Sequence, residues 1–190
     1  MKSEILFPNI IWNQTLSDID NNLLKEFAYK LKDNQAGKVI SNYGGWHSQD
    51  LMTGQCDHLD KLAKIIDYNA NNCAKEVGIE GIVLHNIWIN INPPGSYNTL
   101  HHHLGAIFSG VYYIDANPLQ GNIYFERSDN AEYHLPIDSL NKTSYTTTRV
   151  TYPSTTNCLY IFPGWLKHSV EGNRSNKDRI SISFNYGEKK

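Results

Sequence analysis

The sequence predicts an α+β domain in which helices precede a jelly roll of short strands. Apolar residues recur at helical steps in the first third of the chain, whereas from residue 82 onward β-branched runs alternate with turn-forming clusters. Helices followed by many short strands favour a double-sheet barrel or jelly roll. With 190 residues, the chain is expected to form a single domain, mainly helical over 1–81 and with a jelly-roll core over 82–186.

Two amphipathic segments are predicted to be the helices. The first has an apolar residue every third or fourth position, with Ser17 or Asp18 available as its N-cap. The second is expected to have Asp57 as its N-cap and to stop at Gly78. We expect both helices to brace one sheet of the barrel from outside.

The strand-like runs begin with Ile82–Ile91, which ends at a strong turn formed by two prolines and a glycine. Further strands are predicted at 106–114, 121–126, 143–151, 158–162 and 179–186. Residues 127–142 are less regular and are interpreted as a loop over a site. In the last strand, alternation places Ile180 and its apolar neighbours on one face and Arg179 with Ser181 on the other.

Composition excludes several classes of partner. A net charge of −2 gives no electrostatic reason for bulk nucleic-acid binding, and no apolar run is long enough to span a membrane. No signal peptide is expected, and three widely spaced cysteines without a C-x-x-C motif fit free thiols in the cytoplasm. The sequence leaves a homodimer open.

Three consecutive histidines, His101, His102 and His103, precede the run at 106–114, and His168 follows much later. In extended backbone, His101 and His103 point the same way and His102 points away. Two such imidazoles and His168 would bind one side of a divalent metal and leave the other side open, as a catalytic metal requires. The His-x-Asp motif at His58 is rejected, because it falls inside the second predicted helix, where the two side chains diverge.

An anion site is predicted beside this metal site. Arg179 follows His168 by eleven positions, and its guanidinium offers a planar pair of donors that matches a carboxylate. The hydroxyl of Ser181 lies one pleat further on. Of Tyr112 and Tyr113, one is expected to pack in the core and the other to donate a hydrogen bond inside the barrel.

Taken together, these motifs resemble the double-stranded β-helix core of the iron(II)/2-oxoglutarate oxygenases, in particular the prolyl-hydroxylase-like branch. They are similar above all to a group of 2OG-Fe(II) oxygenases from bacteria and phages. The resemblance covers roughly residues 82–186, and it reaches the helical part only through one glycine-rich motif. The segments that carry it are Gly44–Trp46, His101–His103, Ser109–Ile114, Gly121–Glu126, Leu159–His168 and Arg179–Ser181.

The resemblance implies a function and roles for residues. It implies a dioxygenase that uses Fe(II), O2 and 2-oxoglutarate to hydroxylate an unknown organic substrate, releasing succinate. His101 and His168 would be iron ligands, and Arg179 would bind the distal carboxylate of 2-oxoglutarate with help from Tyr113 and Ser181.

One position departs from the broad superfamily, which has Asp or Glu where this chain has His103. The bacterial and phage group is similar in having histidine there, and we therefore expect His103 to be the third ligand. Three neutral imidazoles leave the full +2 charge of the iron, which favours binding of a dianion. Asp115 or a water molecule is the alternative third ligand.

Two other functions fit the same residues. A three-histidine metal enzyme without 2-oxoglutarate is one, with either iron or zinc as its metal. A jelly-roll binding module without catalysis, for example for carbohydrate, is the other. Bound metal would exclude the binding module, and oxygen consumption without 2-oxoglutarate would favour the metal enzyme.

Overall fold

A computed structural model describes residues 1–135 and 141–189, and it contains the two predicted helices, α1 (Asn21–Asn34) and α2 (Asp57–Glu76). Two short 3-10 turns lie at Pro118–Gln120 and Ala131–Tyr133. The strands are β1 (Trp12–Thr15), β2 (Asn42–Tyr43), β3 (Trp46–His47), β4 (Ile82–Asn92), β5 (Tyr97–His101), β6 (Phe108–Asp115), β7 (Ile123–Glu126), β8 (Arg149–Tyr152), β9 (Cys158–Pro163), β10 (His168–Val170) and β11 (Arg179–Glu188).

Within the described residues, these strands form two antiparallel sheets. One has six strands in the order β1-β9-β6-β11-β4-β3, and the other has five in the order β2-β5-β10-β7-β8. Neighbours in a sheet are mostly distant in sequence, as in a jelly roll rather than a meander. The predicted α+β jelly roll is therefore confirmed.

The central strand β11 separates a hydrophobic core from an internal cavity. Ile180, Ile182 and Phe184 are fully buried in the core on the helix side of the six-stranded sheet. Arg179 and Ser181 line the cavity on the opposite side. Successive side chains of a strand point to opposite faces of the sheet. The alternation predicted for β11 is therefore confirmed.

Both helices pack on the six-stranded sheet, α1 against β6 and α2 against β4, as predicted. Their N-termini differ from the prediction. The N-cap of α1 is Asp20, whose carboxylate accepts from the backbone N–H groups of Asn22 and Leu23. Cys56 is the N-cap of α2, and Asp57 is its first helical residue. The stop at Gly78 is confirmed, with a left-handed φ of 75°.

The strand predicted at 143–151 needs correction. Of the run predicted at 143–151, only its end is a strand; residues 143–147 form a turn in which Thr143 and Thr146 bond each other.

The expected loop at 127–142 lies partly outside the described residues. In its described part, Arg127 forms an ion pair with Asp129 beside the second 3-10 turn. Neither helix of the described chain is long and apolar enough to cross a membrane.

Candidate active site

A cavity of about 380 Å³ opens between the two sheets. The six-stranded sheet contributes Arg179, Tyr113 and Trp88 to its lining, and the five-stranded sheet contributes His101 and His168. A cavity of this size between packed sheets is large enough for a small organic molecule. The predicted candidate residues all line it, including Ser181 and His103.

Strand pairing brings His101 and His168 together. His168 at the start of β10 lies directly opposite His101 at the end of β5, and their ring centroids are 4.3 Å apart. Directly opposed residues in an antiparallel pair project side by side from the same face of the sheet. One ladder contact thus brings together two histidines that are 67 positions apart in sequence.

His103 reaches the same point from the turn after β5. Its backbone N–H donates to the carbonyl of Gly164, which anchors the turn. Its Nε2 lies 3.3 Å from Nε2 of His168, and the ligand atoms of the three histidines all lie within 4.8 Å of one another. Two metal–nitrogen bonds of about 2.1 Å separate their nitrogens by roughly 3.0–3.4 Å when the angle between them is right to tetrahedral. The spacing therefore fits two ligands of one metal ion.

Hydrogen bonds orient two of the imidazoles. Nδ1 of His101 donates to the carbonyl of Thr99 at 2.7 Å, and Nδ1 of His168 donates to the carbonyl of Leu166 at 2.8 Å. A carbonyl can only accept, so Nδ1 carries the proton and Nε2 presents its lone pair. Such a second hydrogen bond is the usual means of fixing a metal-binding histidine.

Burial keeps these imidazoles uncharged. Desolvation, reinforced by the nearby His101, lowers the pKa of His168 to about 3, and the same two causes lower the pKa of His103 to about 4. Desolvation also lowers the pKa of His101 below its usual value. Neutral imidazoles are the form that binds a metal, so all three are ready as ligands at neutral pH.

At another part of the cavity lining, backbone carbonyls hold the guanidinium of Arg179. Its NH1 donates to the carbonyls of Gln120, Gly121 and Glu171. Gly121 has a φ of 96°, and a Cβ there would lie 2.1 Å from the carbonyl oxygen of Glu171. Only glycine allows this close approach. The turn at Pro118–Gln120 thus positions the cation.

The same guanidinium, which lines the cavity, has a donor without a partner. Arg179 is 1% exposed, its NH2 has no hydrogen-bond partner, and no carboxylate among the described residues pairs with it. Tyr113, also 1% exposed, has a buried hydroxyl without a partner. Burial lowers the pKa of Arg179, but a guanidinium still stays protonated at neutral pH. Burial raises the pKa of Tyr113, so its phenol keeps its proton as well. Two unsatisfied donors beside a buried cation fit a carboxylate ligand.

Of the remaining predicted positions, some line the cavity and others lie elsewhere in the fold. Tyr112 packs in the core on the other face of β6, where its hydroxyl bonds Asn21 and Asn157. Ser181 lines the cavity next to Tyr113, its partner in the β11–β6 register. Asp115, the alternative third ligand, neither lines the cavity nor belongs to the converging group of histidines, and its carboxylate pairs with Lys25 of α1.

Four cavity residues escaped the sequence reasoning. Asn90 and Asn92 each have one buried amide atom without a partner, Oδ1 and Nδ2 respectively. His47 is buried and stacks on Trp88, with ring centroids 5.3 Å apart and planes 9° apart. For Trp88, Asn90 and Asn92, the signal was alternation along β4, which places all three on one face, but asparagine in a strand has no distinctive pattern. His47 lies in the two-residue strand β3, which is too short to show a period.

Residues 86–185, more than half of the chain, match the family described as "Putative 2OG-Fe(II) oxygenase". No curated protein matches the chain.

Solved structures with a similar fold cover nearly the whole chain. A prolyl-4-hydroxylase from Pseudomonas putida has a TM-score of 0.67 at 15% identity, over 95% of this chain and 93% of the other. The α-ketoglutarate-dependent epimerase SnoN of nogalamycin biosynthesis has a TM-score of 0.71 at 15% identity, with coverage of 94% and 76%. The viral collagen prolyl hydroxylase of Paramecium bursaria Chlorella virus-1, solved with 2OG, has a TM-score of 0.63 at 14% identity, with coverage of 95% and 96%. At these identities the likeness shows a common fold.

Proposed function

Because the chain belongs to the 2OG-Fe(II) oxygenase family, and is thereby a non-haem iron oxygenase that uses 2-oxoglutarate, we propose that it hydroxylates an organic substrate in the cavity between its sheets. In the overall reaction, one oxygen atom of O2 enters a substrate C–H bond as a hydroxyl group. The other oxygen atom enters 2-oxoglutarate, which loses CO2 and becomes succinate. Bound Fe(II) and 2-oxoglutarate supply the oxidising chemistry. The chain's own residues bind, orient and shield these reactants.

In this proposal, the metal ligands are His101, His103 and His168. The observation that carries the assignment is the convergence of their ring nitrogens within 4.8 Å, two of them with lone pairs fixed by hydrogen bonds to carbonyls. Phe162 packs against His168 with centroids 4.7 Å apart, which helps keep water from that side. Three neutral ligands leave the metal with its whole charge, and this charge attracts an anionic co-substrate.

We assign the distal carboxylate of 2-oxoglutarate to Arg179 and Tyr113, with Ser181 beside them. NH2 of Arg179 and the hydroxyl of Tyr113 supply the donors that lack partners in the protein itself. Because NH1 is already held by three carbonyls, the guanidinium is oriented before the ligand arrives. A pre-oriented donor loses less entropy on binding than a free one.

These assignments argue against the two other functions. A binding module would have no use for three converging imidazoles with free lone pairs. A three-histidine enzyme without a 2-oxo acid would leave NH2 of a buried arginine permanently unpaired, which costs stability.

We further propose a cytoplasmic protein with no bulk nucleic-acid binding. Its three cysteines are all free thiols, as expected in a reducing compartment. The net charge of −2 supports neither a polyanionic partner nor attraction to an acidic surface. A homodimer is compatible with these properties.

Turnover tests the function directly. Purified protein without a tag is given Fe(II), 2-oxoglutarate and O2, and succinate and oxygen are measured together. We expect succinate formation that stops when the iron is chelated or 2-oxoglutarate is omitted. Oxygen consumption that continues without 2-oxoglutarate would overturn the proposal in favour of the three-histidine enzyme.

A further inference from the structure

We propose that Asn92 is a further binding residue for the distal carboxylate of 2-oxoglutarate, and that Gly45 is glycine in order to leave room for its amide. This inference rests on the proposed function. It assigns a role to an asparagine that the sequence motifs do not mark, and to the Gly44–Trp46 motif, which the metal and the arginine do not explain.

Asn92 is the direct neighbour of Arg179 in the sheet. The two residues are opposite each other in the register of β11 and β4, and both line the cavity. Directly opposed residues have Cβ atoms about 4.5–5.5 Å apart on the same face. Each of the two side chains is 1% exposed. A carboxylate that binds the guanidinium therefore lies within reach of the amide.

The unpaired donors of the cavity belong to neighbouring residues. Among the described residues, the buried side-chain donors without a partner are NH2 of Arg179, the hydroxyl of Tyr113 and Nδ2 of Asn92. Ser181 lies one pleat from Arg179 in β11, paired with Tyr113 on one side and with Asn90 on the other. A carboxylate has about four lone-pair sites, so one carboxylate can accept from all three donors. A shared anion explains three buried unpaired donors at once.

Gly45 makes the space that this amide occupies. A Cβ at residue 45 would lie 2.5 Å from Nδ2 of Asn92 and 3.3 Å from its Cγ. With any residue other than glycine at position 45, the amide of Asn92 would have to move. The backbone of Asn92 is fixed independently, because its carbonyl accepts from Nδ2 of Asn173 at 2.9 Å. Together these contacts fix the backbone of Asn92 and place its amide against Gly45, at the edge of the cavity that Asn92 lines.

Calorimetry under anaerobic conditions tests the inference with two ligands. With Fe(II) present, 2-oxoglutarate is compared with 2-oxopentanoate, which has the same chain length and a methyl group in place of the distal carboxylate. Asn92→Leu should weaken 2-oxoglutarate binding about 10- to 100-fold, the usual effect of losing a hydrogen bond to a charged group. The affinities for Fe(II) and for 2-oxopentanoate should stay within twofold of the wild type.

A pair of glycine variants tests the same point without touching the asparagine. Gly45→Ala should weaken 2-oxoglutarate binding, because the new methyl group displaces the amide. Gly172→Ala is the matched control, since a Cβ there meets no atom within 4 Å. Should Asn92→Leu fold poorly, as judged by thermal unfolding, this pair still decides the question.

Two results would overturn the inference. One is an Asn92→Leu variant that binds 2-oxoglutarate within twofold of the wild-type affinity. If Asn92→Leu does not fold, the same result for Gly45→Ala counts in its place. The other is an equal loss for both ligands, because the amide would then act on the chelating end or on the fold. A wild-type protein that binds no 2-oxoglutarate with Fe(II) present would instead contradict the proposed function itself.

Discussion

His168 lies directly opposite His101 across the β10–β5 ladder, and their imidazole centroids are 4.3 Å apart. Because side chains alternate along a strand, a slip of one residue in this pairing would turn one histidine out of the cavity. The candidate metal site and the register of the five-stranded sheet are therefore one feature. Formation of the site reports directly on correct folding of the barrel.

The first prediction concerns metal affinity. His168→Ala should lower Fe(II) affinity more than about 100-fold, since losing even the hydrogen-bond partner of a ligand costs about 10- to 100-fold. His102→Ala is the control, because His102 is exposed and lies outside the cluster of three. Metal content after dialysis, measured by mass spectrometry, checks both. Equal loss of metal in the two variants would contradict the ligand assignment.

In the proposed metal site, neutral His103 takes the place of the usual carboxylate ligand, and this difference in charge has a measurable effect. We expect His103→Glu to retain Fe(II) but to bind 2-oxoglutarate more weakly, because a carboxylate ligand cancels part of the charge that attracts the dianion. His103→Ala should lose metal affinity as well. If His103→Ala binds Fe(II) as the wild type does, a water molecule completes the coordination sphere and His103 is not a ligand.

Tyr112 and Tyr113 offer a matched pair with opposite expectations. Tyr113→Phe removes a buried hydroxyl without a partner, so the ligand-free protein should be as stable as the wild type or up to about 1 kcal/mol more stable. Its affinity for 2-oxoglutarate should fall about tenfold or more, for loss of a bond to a charged group.

Tyr112→Phe should behave in the reverse manner. It removes hydrogen bonds of 2.9 and 3.1 Å to Asn21 and Asn157, which should cost about 1–2 kcal/mol of unfolding free energy. Affinity for 2-oxoglutarate should not change. Urea unfolding and calorimetry on both variants check the pair, and a shared fall in affinity would remove the distinction between the two faces of β6.

Gly121 supports the arginine, and its replacement should be costly in two ways. A Cβ there would lie 2.1 Å from the carbonyl oxygen of Glu171 and 2.7 Å from NH1 of Arg179. Gly54→Ala is the control for backbone strain alone, since its φ of 86° is similar and a Cβ there meets no atom within 4 Å. We expect Gly54→Ala to lose about 1–3 kcal/mol of unfolding free energy.

Gly121→Ala should lose clearly more than Gly54→Ala and should also bind 2-oxoglutarate more weakly. Urea unfolding measures the first effect, and calorimetry with Fe(II) measures the second. Equal stability of the two variants would mean that the carbonyls around Arg179 relax freely, and that the guanidinium is not held in place.

Much of the fold was predictable because long elements repeat their pattern. The two helices, and the alternation of Ile180 and Ile182 with Arg179 and Ser181, follow from periods of 3.6 and 2 that persist over many residues. Elements of two to five residues, such as β2, β3 and β5, have too few repeats to show a period. Their pairing depends on contacts between distant segments.

The candidate site was predictable where its residues form an unusual sequence pattern, and not where they are common polar residues. Consecutive histidines and a lone arginine in an alternating strand attract attention, whereas Asn90 and Asn92 look like ordinary polar residues. The carbonyls around Arg179 could not be predicted, because backbone groups carry no sequence signal. The N-cap of α1 was misplaced, since Ser17, Asp18 and Asp20 compete as caps. Helix α2 begins one residue earlier than predicted, after Cys56, which makes no side-chain cap bond.

The most direct test of the account is anaerobic calorimetry of 2-oxoglutarate, with and without Fe(II), on the wild type and on Arg179→Ala. Iron and guanidinium should act as two ends of one binding site. The wild type should bind 2-oxoglutarate tightly only when Fe(II) is present, and Arg179→Ala should bind Fe(II) normally but lose at least about 100-fold in 2-oxoglutarate affinity, the loss expected for a charged two-point contact. Equal 2-oxoglutarate affinity in the two proteins would contradict the central claim.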